Sequence, residues 1–254
     1  MAARVVTAAA LIAALLAALF FLPKPWFAAL GALIVAAAGL EWARLCRLAG
    51  AAAWVYAAML AFAFVVLHNS EPQQPTFMLA TLFWIVVAPW WLRRGVQARG
   101  LAAAGFVVIL PAALAFVVLK PLEVLLVLLL VWIADSAAYF VGRAWGRRKL
   151  APDISPGKTW EGALGGTAAA LVYAIILGTF IEGLFWVPYL LAAALLAVLS
   201  IVGDLFESAA KRQAAVKDSG TLLPGHGGIL DRIDSATAAL PAAALLWPYL
   251  RAAT

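Results

Sequence analysis

The chain has 254 residues, of which 67% are hydrophobic and only 12% charged, and its mean hydropathy is +1.03. An ordinary globular domain is about a quarter charged, so a soluble protein of this composition could not cover its own surface with polar groups, and lipid must be the solvent for most of it. The 18 Lys and Arg against 12 Asp and Glu give a formal +6, without the dense basic stripes of a nucleic-acid binder; no nucleic acid is expected as a partner. Cys46 is the only cysteine, which excludes an internal disulfide and a cysteine-based zinc cluster.

A helix needs about 20 mostly apolar residues to cross a bilayer. Taken in chain order, that ruler finds candidates at 5–22, 26–44, 51–67, 77–92, 101–119, 121–140, 162–180, 185–204 and 235–250. The expected fold class is therefore an all-α polytopic membrane protein of about nine transmembrane helices. Nine spans of ~20 residues use ~180 positions, which leaves no room for an extramembrane domain. The first stretch also resembles a signal peptide. Its apolar run exceeds the ~7–15 residues of a secretory core, and Pro23-Lys24-Pro25 follows in place of a small-residue cleavage site, so it reads as a retained helix.

Loop charges set the orientation. With the N-terminus inside, the inner segments hold 15 of the 18 basic residues, and only Lys24, Lys120 and Arg251 fall outside. The partition predicts a cytoplasmic N-terminus and an outside C-terminus. Among the acids, Glu71, Glu123 and Glu182 lie in outer loops as ordinary solvated charges. The other nine are on the inner side: Glu41, Asp135, Asp153, Glu161, Asp204, Glu207, Asp218, Asp231 and Asp234.

Several of these acids end apolar helices, where a carboxylate costs a few kcal/mol and usually faces a bundle interior or a watery cavity. Asp135 directly follows the apolar stretch 125–134, either as a helix-end charge reaching the interface or as a cavity-lining acid. Asp204, Glu207, Ser208 and Lys211 recur at i, i+3, i+4 and i+7, so they share one helical face. Asp231 and Asp234 stand three apart at the start of the last span, beside Ser235. Clustered carboxylates without a cysteine or histidine set suit Mg²⁺ or another oxygen-seeking cation.

Two inner loops, about 143–161 and 208–234, carry most of the remaining polar chemistry. In the first, Ser155-Pro156-Gly157-Lys158-Thr159 places a lysine and hydroxyls before a helix N-terminus, a good phosphate seat. It is not a P-loop, because the glycine–lysine spacing is absent and no strand is expected before it. Gly162, Gly165 and Gly166 after it suit close helix packing. The second loop combines Lys211, Arg212, Lys217 and Arg232 with His226, the bare backbone of Gly227 and Gly228, and the carboxylates of Asp218, Asp231 and Asp234. Cations and glycines suit a polyphosphate, whereas carboxylates repel one. The two coexist where a divalent metal bridges acid and phosphate, as in phosphoryl and nucleotidyl transfer.

From Ser208 to Asp234 the pattern Ser-x-x-Lys-Arg-x(4)-Lys-Asp-x-Gly-x(2)-Leu-Pro-x-His-Gly-Gly-x-x-Asp-Arg-x-Asp closely resembles the signature of the phosphatidate cytidylyltransferase (CDP-diacylglycerol synthase) family. The upstream Asp135-x-x-Ala138-Tyr139-Phe140-x-Gly142-Arg143 and Ser155-Pro156-x-Lys158-Thr159-Trp160-Glu161-Gly162 also look like that family's blocks. Ala210 departs from it, standing where the family tends to carry a larger aliphatic residue. The resemblance covers most of the carboxyl-terminal half. It implies a reaction of CTP with membrane phosphatidate that gives CDP-diacylglycerol and pyrophosphate. It further implies dependence on Mg²⁺, a second cation such as K⁺ sharing the acidic site, and room for a homodimer.

On this reading 1–120 holds the amino-terminal helices and 121–254 the catalytic region, facing the cytoplasm of a bacterial plasma membrane. Metal ligands are expected among Asp204, Asp231, Asp234, Asp135 and Glu207. Lys211, Arg212, Lys217, Asp218, His226 and Arg232 are the catalytic candidates. Ser155, Lys158, Thr159, Ser208, Gly227 and Gly228 are the substrate-binding ones. A CTP-dependent lipid or polyprenol kinase is the rival enzyme. A secondary transporter would place its acids near the midplane, whereas these acids crowd one surface.

Overall fold

A computed structural model describes residues 2–222 and 227–251. Lipid offers no hydrogen-bond partner, so backbone groups must be satisfied within each segment, and the chain is helical nearly throughout. In chain order the elements are α1 (Ala2–Phe21), α2 (Lys24–Leu45), α3 (Ala51–His68) and α4 (Gln74–Leu82), then a π turn (Phe83–Val87) leading into α5 (Ala88–Arg94). After these come α6 (Leu101–Val118), α7 (Pro121–Trp145), β1 (Lys149–Ala151), β2 (Ser155–Thr159), α8 (Trp160–Gly178), α9 (Trp186–Gln213) and α10 (Leu230–Leu246). All nine expected spans lie on helices. Among the described residues seven segments are long and apolar enough to cross a membrane, with α4, the π turn and α5 acting as one. The apolar stretch Ala9–Phe21 of α1 and the 17-residue α10 are shorter. The architecture is that of an all-α polytopic membrane protein.

Three boundaries differ from expectation, each for a local reason. α9 runs on to Gln213, so Ser208, Lys211 and Arg212 are helical residues and not loop residues. Nothing in that polar stretch breaks a helix until Ala215, whose φ is +59°. α10 begins at Leu230, which places Asp231 and Asp234 in its first turns. The loop before α8 contains two short antiparallel strands, with Lys149 opposite Thr159 and Ala151 opposite Ser155. A strand thus does precede the Lys158-Thr159 pair, contrary to expectation. Glu161 anchors the hairpin by accepting the N–H groups of Arg147 (3.0 Å) and Arg148 (3.2 Å). Thr159 then caps α8, its hydroxyl accepting the Gly162 N–H at 3.1 Å.

α10 is the central helix. Ala236, Ala238, Ala239, Ala242, Ala243 and Ala244 are all buried, and these small side chains let it pack on α9, α6, α4 and α7 together. Phe206 of α9 is enclosed by the rings of Trp42, Phe83, Trp84 and Trp91 at centroid distances of 5.5–6.5 Å. α2 and the π-turn segment are thereby fixed against α9. The π turn precedes Pro89, which lacks the N–H of a regular turn and crowds the carbonyl four residues back.

Glycines set the spacing of α7 and α8. A Cβ on Gly162 would lie 2.7 Å from the Ala138 carbonyl oxygen, and one on Gly166 would lie 2.6 Å from that of Ala134. Gly166→Val is expected to lose about 1–3 kcal/mol through overpacking, measured as thermal melting in detergent. Gly157→Ala, where nothing lies within 4 Å, should melt with the unmodified protein; equal melting of both variants would show that α7 and α8 can separate freely.

Candidate functional site

Charged residues from α7, the hairpin, α9 and α10 meet at one end of the bundle. α9 supplies the central row because its i, i+3, i+4, i+7 spacing puts Asp204, Glu207, Ser208 and Lys211 on one face. Gly203 lets α10 approach that face, since a Cβ there would sit 2.6 Å from the Asp234 carbonyl oxygen. Lys158 reaches in from β2 and lies 2.6 Å from Asp204 Oδ2. The Ser208 hydroxyl donates to Asp204 Oδ1 at 3.2 Å. From α7, Asp135 hydrogen-bonds the Ser235 side chain, with Asp204 and Lys158 among its charged neighbours.

Lys211 is the second cation of the cluster. Its Nζ lies 2.7 Å from Asp231 Oδ1 and 3.1 Å from Glu207 Oε1, the latter poorly aligned. Among the described residues neither oxygen of the buried Glu207 accepts a hydrogen bond. Asp231 is the opposite case. Its Oδ2 accepts the N–H groups of Ser219 (2.9 Å) and Gly228 (2.8 Å) as well as a contact from the Ser219 hydroxyl at 3.0 Å. Burial pushes the Asp231 carboxyl up, but Lys211 and the two backbone donors outweigh it and hold it below the usual carboxylate range. Asp234 Oδ1 accepts the N–H of Ser235 at 2.7 Å.

Five carboxylates (Asp135, Asp204, Glu207, Asp231 and Asp234) thus share two ammonium groups. The donor set is all oxygen and carries excess negative charge, which suits a hard divalent cation in type. Among the described residues no three of these acids converge as a ready-made ligand set. Both Asp231 oxygens are occupied, and one oxygen of Asp204 holds Lys158. Metal binding at those three atoms would have to displace an ammonium group or a backbone donor.

The other expected residues fall around this centre. Ser155 and Thr159 sit on β2, with Thr159 spent on the α8 cap. Arg212 donates from Nε to the Ile154 carbonyl at 3.3 Å, tying α9 to the hairpin. Lys217, Asp218 and Arg232 are exposed. Gly227 has φ +79°, and a Cβ there would crowd Asp231 Oδ2 at 2.7 Å. Gly228 faces Glu41 and Ser219. His226 lies outside the described residues. Ala210, the departure from the family pattern, is fully buried.

Two residues that sequence reasoning did not single out belong to the site. Glu41, 1% exposed on α2, accepts the N–H groups of Ile229 and Leu230, both at 2.9 Å. The buried Ser219 hydroxyl lies 3.0 Å from both Glu41 Oε2 and Asp231 Oδ2 and shares its proton between them. The only sequence signal was the placement of Glu41 among the inner acids, because its partners lie 178 to 189 positions away.

Removing one member of a buried ion pair leaves an uncompensated charge, at a cost of about 3–5 kcal/mol. Lys211→Met is therefore expected to lower stability by about 3 kcal/mol in thermal melting, and adding Glu207→Gln should recover part of it. Unchanged melting of Lys211→Met would show that these carboxylates are hydrated and not buried.

The profile of the cytidylyltransferase family matches residues 2–250. The phosphatidate cytidylyltransferase of Pseudomonas aeruginosa is 41% identical over 96% of both chains. That of Brucella suis is 44% identical over 68% of this chain and 63% of its own length. The Bacillus subtilis protein of the same name is 52% identical over 44% of this chain and 42% of its own.

Proposed function

Because this chain belongs to the cytidylyltransferase family, we propose that its charge cluster transfers a cytidylyl group from CTP to phosphatidate. The products are CDP-diacylglycerol and pyrophosphate. One observation carries the assignment to this site: five carboxylates and the ammonium groups of Lys158 and Lys211 are gathered at one end of an otherwise apolar bundle.

A phosphate oxygen of phosphatidate attacks the α-phosphorus of CTP in line, the new P–O bond forms, and the bond to the bridging oxygen of the β-phosphate breaks. The nucleophile is already anionic, so no strong general base is needed, and positioning with charge neutralisation supplies the catalysis. Lys158, freed from Asp204, and Lys211, steered by Asp231, are the cations set to meet phosphate oxygens. Lys217 and Arg232 add positive charge at the rim, and Arg212 holds the hairpin that carries Ser155 and Lys158.

Asp204, Asp234 and Asp135 do not converge as a ready-made set and would have to draw together to hold Mg²⁺, and Glu207, with no hydrogen bond of its own, would face a second cation such as K⁺. Bound there, the divalent ion supplies charge neutralisation on the triphosphate. The catalytic region is 121–254, and it faces the cytoplasm of a bacterial plasma membrane through a nine-span, N-inside and C-outside topology. The 15 basic residues on one side and the bacterial relatives support that placement.

Membranes holding the protein, mixed with Mg²⁺, phosphatidate and CTP labelled in the base, should put the label into lipid. Phosphorylated lipid without label would reassign the enzyme as a kinase, and no reaction would remove the assignment. Asp204→Asn is expected to raise the Mg²⁺ concentration for half-maximal activity by at least about tenfold, roughly 1.4 kcal/mol of binding. An unchanged Mg²⁺ response would exclude Asp204 as a ligand.

A further inference from the structure

Among the described residues, Glu41 is the one buried acid at this end of the bundle that the transfer chemistry leaves unused. A carboxylate removed from water needs donors, and this one receives three, all from the segment between α9 and α10 or from the start of α10. Ile229 N–H binds Oε1, while Leu230 N–H and the Ser219 hydroxyl bind Oε2. The first N–H groups of a helix lack intrahelical acceptors and form its positive end. Ile229 and Leu230 have no side-chain oxygen to cap them. The cap is brought instead from α2.

The surroundings are shaped to fit that carboxylate. A Cβ on Gly220 would lie 2.5 Å from Glu41 Oε1, and one on Gly228 would overlap Ser219 Oγ and Glu41 Oε2. Just beyond the end of α2, Arg47 Nη2 donates at 3.1 Å to the carbonyl of Gln213, the last residue of α9 before that segment. α2 is itself held firmly, with Trp42 Nε1 donating to the Leu101 carbonyl at 2.8 Å and Gly39 packed against Ala57 and Leu60 of α3. From Glu41 a continuous polar path runs through Ser219 to Asp231, then to Lys211 and Glu207.

We propose that Glu41 is a positioning residue for the transfer reaction, setting the register of Ser219 and the start of α10 and, through Ser219 and Asp231, the place of the Lys211 ammonium. This role rests on the function proposed above. Glu41 touches no reacting atom in it. The helices before residue 120 are then part of the catalytic apparatus, because they carry the anchor for its most charged segment.

Glu41→Gln tests this, since the amide is isosteric but, in either orientation, turns an N–H₂ toward a donor that the carboxylate had accepted. In purified protein, hydrogen exchange of peptides covering 219–222 and 227–234 should quicken about tenfold, with α7 and α8 unchanged. In assays kcat should fall by at least about tenfold while KM for CTP and for phosphatidate stays within about threefold. Ser219→Ala should do the same, and the double variant should be little worse than Glu41→Gln alone, the signature of residues acting in one path. If Glu41→Gln does not accumulate, Ser219→Ala carries the same measurements. Unchanged exchange or unchanged kcat overturns the proposal. Failure of the unmodified protein to transfer any cytidylyl label would instead sink the functional reading, and the exchange experiment would still decide the anchoring.

Discussion

Lys211 holds the charged end of the bundle together. It stands between Glu207 and Asp231 in a region where side chains are largely out of water. Carboxylates at membrane depth are tolerated only when paired, hydrogen-bonded or hydrated. One ammonium group thus lets α9 and the first turn of α10 bring three acids, Asp234 included, close together. Lys158 does the same for Asp204 from the hairpin. Five carboxylates against these two ammonium groups leave net negative charge, and the site is therefore prepared for further cations.

The pairing depends on close backbone approach. Gly203 admits Asp234 beside Asp204, and Gly162 and Gly166 seat α8 on α7, so that Lys158 of β2 lies among the charged neighbours of Asp135. In lipid there is no hydrophobic force between helices, so association relies on such small-residue contacts and on polar links between segments. The alanine-rich face of α10 extends this logic, giving a thin central helix that several neighbours share. The aromatic enclosure of Phe206 fixes the rotation of α9, and with it the direction of the charged row.

Much of this was legible in the sequence. The expected spans all fall on helices, the shared face of Asp204, Glu207, Ser208 and Lys211 is real, and the packing role of Gly162, Gly165 and Gly166 in α8 holds. The family resemblance rested on residues 135–162 and 208–234, and the family match covers nearly the whole chain. Less visible were the helix ends, because polar residues with good helical propensity extend α9 beyond its apolar stretch. The hairpin was hidden by its length, as strands of three and five residues leave little alternation to detect. Asp231 and Gly228 were chosen for their chemistry, and the structure shows how much of each is committed to holding its own loop.

By itself the sequence determined the solvent, the helical class, the gathering of the charges at one end and the family. Each of these follows from local composition or contiguous motif, since transfer of apolar residues into lipid is roughly additive along a chain. Tertiary structure alone decided which acid meets which cation, and that Glu41 on α2 closes the far end of the site. Those choices depend on which helices lie side by side. That is settled by close glycine contacts between helices and by hydrogen bonds such as that of Ser219 to Glu41, 178 positions apart in the chain, which no local pattern records.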